Sequence, residues 1–207
     1  MNKMNTQEHA QYLHDTYQFN IIPLYYLIRD HETGSKKAKM IDWHKYKAEP
    51  YPLDMWDDNY KALAIITGQI SNLTVLDIDS QEAVDTLLDQ VGGKITDLAE
   101  YVVKTHKGYQ LFYSYEAGLK TRIGIKDSVD FLNGGITFAV DTNDSYKTIK
   151  ANQPVAMPQY VKDKILDTEH EAPTEEAQAF EQALKENSNL PYRHPMQPLI
   201  VEFIEAG

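Results

Sequence analysis

The stretch Leu73-Thr74-Val75-Leu76-Asp77-Ile78-Asp79 constrains the fold more than any other part of the chain. It is an apolar strand carrying two aspartates two residues apart. Alternate residues of a strand share a face, so Asp77 and Asp79 project to one side while Leu76 and Ile78 enter the core. Two carboxylates that close repel each other, and burial strengthens the repulsion. A divalent cation relieves it: Mg²⁺ or Mn²⁺ takes hard oxygen ligands, and a pair of such ions can orient an attacking hydroxyl and neutralise a triphosphate. The plainer alternative has Asp79 capping the helix that starts at Ser80 and Asp77 paired to a surface lysine. Asp-x-Asp alone is a weak motif. Asp130 adds a third carboxylate on another strand candidate, just before Asn133-Gly134-Gly135, where a hairpin would bring it beside the pair.

Upstream, Thr6 to Tyr17 has helical spacing, with Thr6 as N-cap and Ala10, Leu13 and Tyr17 on one stripe. Phe19 to Tyr26 is strand-like but interrupted by Pro23, which favours an edge or a strand end. Arg29 to Lys39 is polar, with Gly34 and three lysines, and predicts a mobile loop. Trp43 to Trp56 predicts short helical pieces packed through the two tryptophans. Ala62 to Thr67, ending at Gly68, is expected to pair as a hairpin with Leu73 to Ile78 across Ser71 and Asn72. Ala83, Val84, Leu87, Leu88 and Val91 mark an amphipathic helix closed by Gly92 and Gly93. Tyr101 to Thr105 and Gln110 to Tyr115 are strands flanking a His106-Lys107-Gly108 turn. Val129 to Leu132 and Ile136 to Val140 are two more, joined through Asn133-Gly134, whose tolerance of positive φ suits a tight hairpin. This order predicts an α+β fold with a largely antiparallel sheet rather than regular βαβ alternation.

The formal charge of -11 argues against a generalised electrostatic grip on nucleic acid, because Lys and Arg drive counterion release from phosphates. The excess is concentrated late, where acidic residues outnumber basic ones ten to four between 160 and 207. Earlier segments keep the clusters Lys36, Lys37, Lys39 and Lys104, Lys107, Lys120, Arg122, Lys126, enough for a local basic cleft. There is no cysteine, so a disulfide framework and Cys-type zinc sites are excluded, and any metal must take oxygen or histidine ligands. Met1 to Asn20 has no apolar core behind a basic start, and no run approaches a membrane span. A cytoplasmic protein without membrane contact is expected.

Six segments in order carry a resemblance: Asn20-Ile21-Ile22-Pro23-Leu24, the lysine loop leading to Trp43, Ala64-Ile65-Ile66-Thr67-Gly68, Leu73 to Asp79, Lys104 to Tyr113, and Val129-Asp130-Phe131-Leu132-Asn133-Gly134-Gly135. Together they resemble the bifunctional primase-polymerase (prim-pol) domain of the archaeo-eukaryotic primase superfamily, seen in plasmid, phage and mobile-element replication proteins. The resemblance implies a small α/β lobe joined to an RRM-like, mainly antiparallel sheet in residues 1–160, and the acidic composition beyond it predicts a helical tail or linker in 161–207. The resemblance also implies DNA primase/polymerase activity, a template-directed nucleotidyl transfer from nucleoside triphosphates on single-stranded DNA. Asp77, Asp79 and Asp130 would be the catalytic ligands of Mg²⁺ or Mn²⁺. His106, Lys107, Gly108 and Gln110 would line the nucleotide pocket, with the lysine loop facing nucleotide or template phosphates. The tail's composition, with an expected acidic helix from Thr174 to Asn187, reads as a packing appendage before it reads as a contact for a helicase or replication-initiator partner.

Three departures accompany the resemblance. The family's second motif ordinarily carries a histidine that contacts the incoming nucleotide, and that position is Gln110. The glycine common before the first apolar strand is replaced near Gln18 and Phe19, and the arginine often found after the third aspartate is Leu132. A haloacid-dehalogenase-type phosphatase also ends a strand in Asp-x-Asp, but follows it with a Gly-Thr or similar turn where this chain has Ser80-Gln81. The non-enzymatic alternative is a catalytically weakened primase-like module that binds nucleic acid or nucleotide and recruits replication partners. Gln110 and the acidic balance are its support.

Overall fold

The computed structural model describes residues 4–30, 35–142, 144–166 and 199–203. Its first helix, α1 (Thr6–Tyr17), is capped by Asn5 rather than Thr6. Asn5 Oδ1 accepts from the Glu8 amide and the Glu8 carboxylate accepts from the Asn5 amide, each at 2.8 Å, which satisfies two donors the helix leaves open. Asparagine is the stronger capping residue, so it displaces the threonine beside it. Ala10, Leu13 and Tyr17 form the buried stripe that their spacing predicts. Then come β1 (Asn20–Arg29), β2 (Lys36–Met40), 3-10 turns at His44–Lys47 and Leu53–Met55, β3 (Ala62–Ile66), β4 (Leu73–Ile78), α2 (Gln81–Val91) and α3 (Ile95–Leu98). β5 (Tyr101–Lys104), β6 (Tyr109–Ser114), β7 (Arg122–Lys126), β8 (Val129–Leu132), β9 (Ile136–Val140), β10 (Lys147–Ala151), α4 (Gln159–Leu166) and β11 (Leu199–Phe203) complete the order.

The strands form two sheets, ordered β11-β2-β1-β3-β9 and β10-β5-β6-β4-β8-β7. Apart from β11 beside β2, the neighbours run antiparallel, so the fold is of the expected α+β class. One face of the second sheet carries Leu76, Ile78, Leu111 and Phe131 and is covered by α2 and α4 through Val84, Leu87, Val161 and Ile165. α4 thus carries the packed body past residue 160. The other face packs Leu73, Val75, Val103 and Phe112 against Ile21, Leu63 and Ile65 of the first sheet and Phe19 just before it, with α1 at its end. Each such buried side chain contributes roughly 1.5–3 kcal/mol. Trp43, Tyr51 and Trp56 close the far face of the first sheet, as the aromatic content of that segment predicts.

Two expected hairpins are crossovers between the sheets. β3 and β4 lie in different sheets, joined through a 3-10 turn at Gln69–Ser71 and a single bridge between Gly68 and Leu73. β8 and β9 are likewise separated, and none of Asn133, Gly134 and Gly135 adopts a positive φ. The two crossovers lie against each other. The Thr67 amide donates to Gly135 O and the Gly135 amide to Thr67 Oγ1, both at 2.9 Å. A Cβ on Gly68 would stand 3.2 Å from both Asn133 O and Gly134 Cα. Turn residues mark where a chain reverses, but an inter-sheet corner and a hairpin use the same ones.

Asn133 fastens this corner. Its Oδ1 accepts from the Thr74 hydroxyl, and its Nδ2 donates to Glu116 O and Leu119 O at 2.7 and 2.8 Å. Asn133→Ala removes three hydrogen bonds, one to the buried Thr74 hydroxyl and two to part-buried carbonyls, so a loss of about 2–4 kcal/mol in urea unfolding is expected, against about 1 kcal/mol for an ordinary single hydrogen bond. A loss no larger than that would show that the corner is held elsewhere.

Residues 36–39 form strand rather than loop. The lysines disguise an alternation in which Ala38 and Met40 are buried beside Leu24 and Leu27 while Lys37 is exposed. Pro23 is not on an edge strand, since β1 lies between β2 and β3. It is tolerated because β2 pairs with β1 only from Leu24 onward, leaving one neighbour at residue 23. The expected tail helix Thr174–Asn187 lies outside the described residues. Among the described residues no helix is long and apolar enough to cross a membrane.

Candidate active site

β4 lies between β6 and β8, and two successive rows cross these three strands on one face. In the first, Val75 stands opposite Phe112 and Leu132, all three within the apolar core between the sheets. In the second, two residues on, Asp77 stands opposite Gln110 and Asp130. Residues directly opposed in antiparallel strands have Cβ atoms about 4.5–5.5 Å apart on the same face. The row therefore sets two carboxylates and an amide side by side where the apolar packing ends. Asp130 reaches Asp77 by strand pairing rather than by a hairpin at Asn133.

Each member is held. Gln110, only 1% exposed, donates from Nε2 to Asp77 Oδ2 at 3.4 Å. The Gly124 amide, in a bulged stretch of β7, donates to Asp130 Oδ1 at 2.7 Å. Asp79 lies one residue past β4, and its amide donates to Ser128 O at 2.7 Å, tying it to the turn between β7 and β8. Ser80 rather than Asp79 caps α2, its Oγ accepting from the Ala83 amide at 3.1 Å. The capping alternative for Asp79 is thereby removed.

Electrostatics single out Asp77. Burial, and after it the carboxylates of Asp79 and Asp130, push its carboxyl up to about 7. The Lys36 ammonium and the Gln110 hydrogen bond oppose the shift. Lys36 was read as part of a loop; only the alternation through Ala38 and Met40 signals its place in a strand.

The turn between β5 and β6 rests on the end of β4. Thr105 donates from its amide to Gly108 O and accepts the Gly108 amide on Oγ1, both at 3.0 Å. A Cβ on Gly108 would stand 1.8 Å from Ile78 O, so only glycine fits against the backbone between Asp77 and Asp79. Lys107 is partly exposed in this turn and His106 exposed.

Among the described residues, no three His, Asp or Glu side chains converge closely enough to form a metal site by themselves. The donor set nonetheless fits a hard divalent cation, being made of oxygens alone. Asp77 Oδ1 and Gln110 Oε1 are buried with no hydrogen-bond partner in the protein. A buried oxygen left in that state costs about 1–3 kcal/mol, which a bound cation offsets.

The family model of the bifunctional DNA primase/polymerase N-terminal domain (Prim-Pol) matches residues 10–160. No curated protein matches the chain.

Proposed function

The chain belongs to the bifunctional DNA primase/polymerase family, and we propose that it extends or initiates strands on single-stranded DNA from nucleoside triphosphates, in the replication of a plasmid, phage or mobile element. The reaction joins a 3′ oxygen to the α-phosphorus and releases pyrophosphate. The observation that carries this reading is the pairing of Asp77 with Asp130 across β4 and β8, beside Asp79. Asp77, Asp79 and Asp130 would hold Mg²⁺ or Mn²⁺, which when bound would neutralise the triphosphate and orient the attacking hydroxyl. The protein's own groups set the stage. Gln110 steers Asp77, the Gly124 amide steers Asp130, and the Val75, Phe112 and Leu132 row keeps water from the floor of the site. Lys107, beside Gly108 in the turn, and Lys36 add positive charge for the phosphates. A helicase or initiator partner would dock through residues 161–207.

The test is synthesis on a single-stranded template with Mg²⁺ or Mn²⁺, using ribo- and deoxynucleoside triphosphates separately. Templated product supports the reading, and phosphomonoester hydrolysis in its place supports the phosphatase. Nucleotide or DNA binding with neither reaction supports the weakened module, which the neutral amide of Gln110 favours. Asp130→Asn keeps two of the three carboxylates and is expected to lower incorporation about 10- to 100-fold, with residual activity in Mn²⁺, equivalent to roughly 1.4–2.8 kcal/mol of barrier. Unchanged synthesis would remove β8 from the site.

A further inference from the structure

We infer that Gln110 is itself a cation ligand, its Oε1 completing the oxygen set that Asp77 and Asp130 begin. This rests on the metal-dependent reading above. Gln110 stands opposite Asp77 and is 1% exposed. Its Nε2 donates to Asp77 Oδ2 at 3.4 Å, and with Asp77 ionised, as a cation ligand is, the reverse orientation would set two oxygens against each other. Oε1 is then the atom not bonded to Asp77. It is buried without a hydrogen-bond partner in the protein, and so is Asp77 Oδ1 on the opposed residue.

Neither packing nor orientation of Asp77 accounts for that oxygen. A packing residue here would be leucine or methionine, with no polar group to desolvate. A group that only steered Asp77 would have its second polar atom satisfied by the protein. The two orphaned oxygens lie on facing residues of adjacent strands, and one bound cation can serve both. The carboxylates alone do not converge as a trio. An amide oxygen adds a hard, neutral donor to a row that already holds two opposed carboxylates, where a further carboxylate would increase the repulsion. It also sets metal preference. Amide and carboxylate oxygens suit Mg²⁺ and Mn²⁺, whereas an imidazole nitrogen suits softer ions such as Zn²⁺.

The test is Mn²⁺ binding to the full chain without nucleotide, followed by electron paramagnetic resonance and by displacement with Mg²⁺, with melting of each variant recorded in metal-free buffer. Gln110→Leu and Gln110→Met are expected to weaken Mn²⁺ about tenfold. Gln110→Glu, which keeps an oxygen but cannot donate to Asp77, should retain or tighten binding. Gln110→His, which can donate to Asp77 but lacks the oxygen, should lose Mg²⁺ affinity and gain relative affinity for Zn²⁺. A steering residue would give the opposite order, with Glu impaired and His intact, and that result overturns the inference. Parental Mn²⁺ affinity in both Leu and Met variants also overturns it, provided Asp77→Asn with Asp79→Asn abolishes binding. If that double variant binds Mn²⁺ like the parent, the metal reading itself is what fails.

Discussion

Replacing Asp77 and Asp79 together by asparagine is expected to abolish nucleotide incorporation while making the protein more stable in metal-free buffer above pH 7. The catalytic half follows from ligand chemistry, since an amide is a poorer partner for a hard cation than a carboxylate and two of the three acidic groups are lost. The stability half follows from linkage. An aspartate titrates near 3.8 when unfolded, but burial and the neighbouring carboxylates lift Asp77 to about 7 in the fold. Between these values the folded state holds a proton that the unfolded state has released, so stability falls as pH rises, by about 1.4 kcal/mol per unit for one group. The penalty is absent below about pH 4 and complete above about pH 7. Asparagine has no charge to desolvate, so the variant should show a flatter pH profile and a higher melting temperature at pH 8. Adding Mn²⁺ should raise the melting temperature of the parent and leave the variant unmoved. Parental synthesis by the double variant would sink the assignment of these carboxylates, whatever its stability.

The active row was legible because β-strands impose a period of two. Once Leu73 to Ile78 is a strand, Asp77 and Asp79 must share a face with Val75, and that follows from sequence without knowledge of any partner. That Asp130 belongs beside them needs the register of β8 against β4, which local sequence does not encode. The expectation placed it there by a turn at Asn133-Gly134, and the structure does so by strand pairing while the turn leads to another sheet. Composition misled at Lys36 to Met40, where three charges on five residues masked two buried apolar positions. It also misled at Pro23, whose rule concerns the local neighbour count and not the strand's rank in the sheet. Gln110 was visible as a departure from a motif, but its two roles toward Asp77, a donor on one atom and an orphaned oxygen on the other, exist only in the assembled sheet. Asn5 and Ser80 are a lesser case, in which a cap shifted by one residue changes what its neighbour is left to do.

Outside the carboxylates, Gly108→Ala should be the change most damaging to activity. Its Cβ would meet Ile78 O at 1.8 Å and Ile78 C at 2.9 Å, and both are backbone atoms of a central strand that cannot swing aside. The φ of Gly108 is not left-handed, so the effect is one of space alone. The turn must lift away from β4, which strains the Thr105 bonds that close it. Gln110 follows two residues later, on β6, and its long bond to Asp77 has little slack. Stability is expected to fall by about 1–3 kcal/mol, as for overpacking in a rigid core. Activity should fall about 100-fold, because a displacement near 1 Å is enough to cost that much where groups must be aligned. Gly118→Ala is the matched control, since Gly118 has φ 85 but open space around its Cβ position. It should lose roughly 1–2 kcal/mol from backbone strain while keeping parental kcat/KM. Urea unfolding and steady-state synthesis on the two variants separate the cases: if Gly108→Ala retains parental kcat/KM, the turn does not hold Gln110 against Asp77 and the site tolerates its displacement.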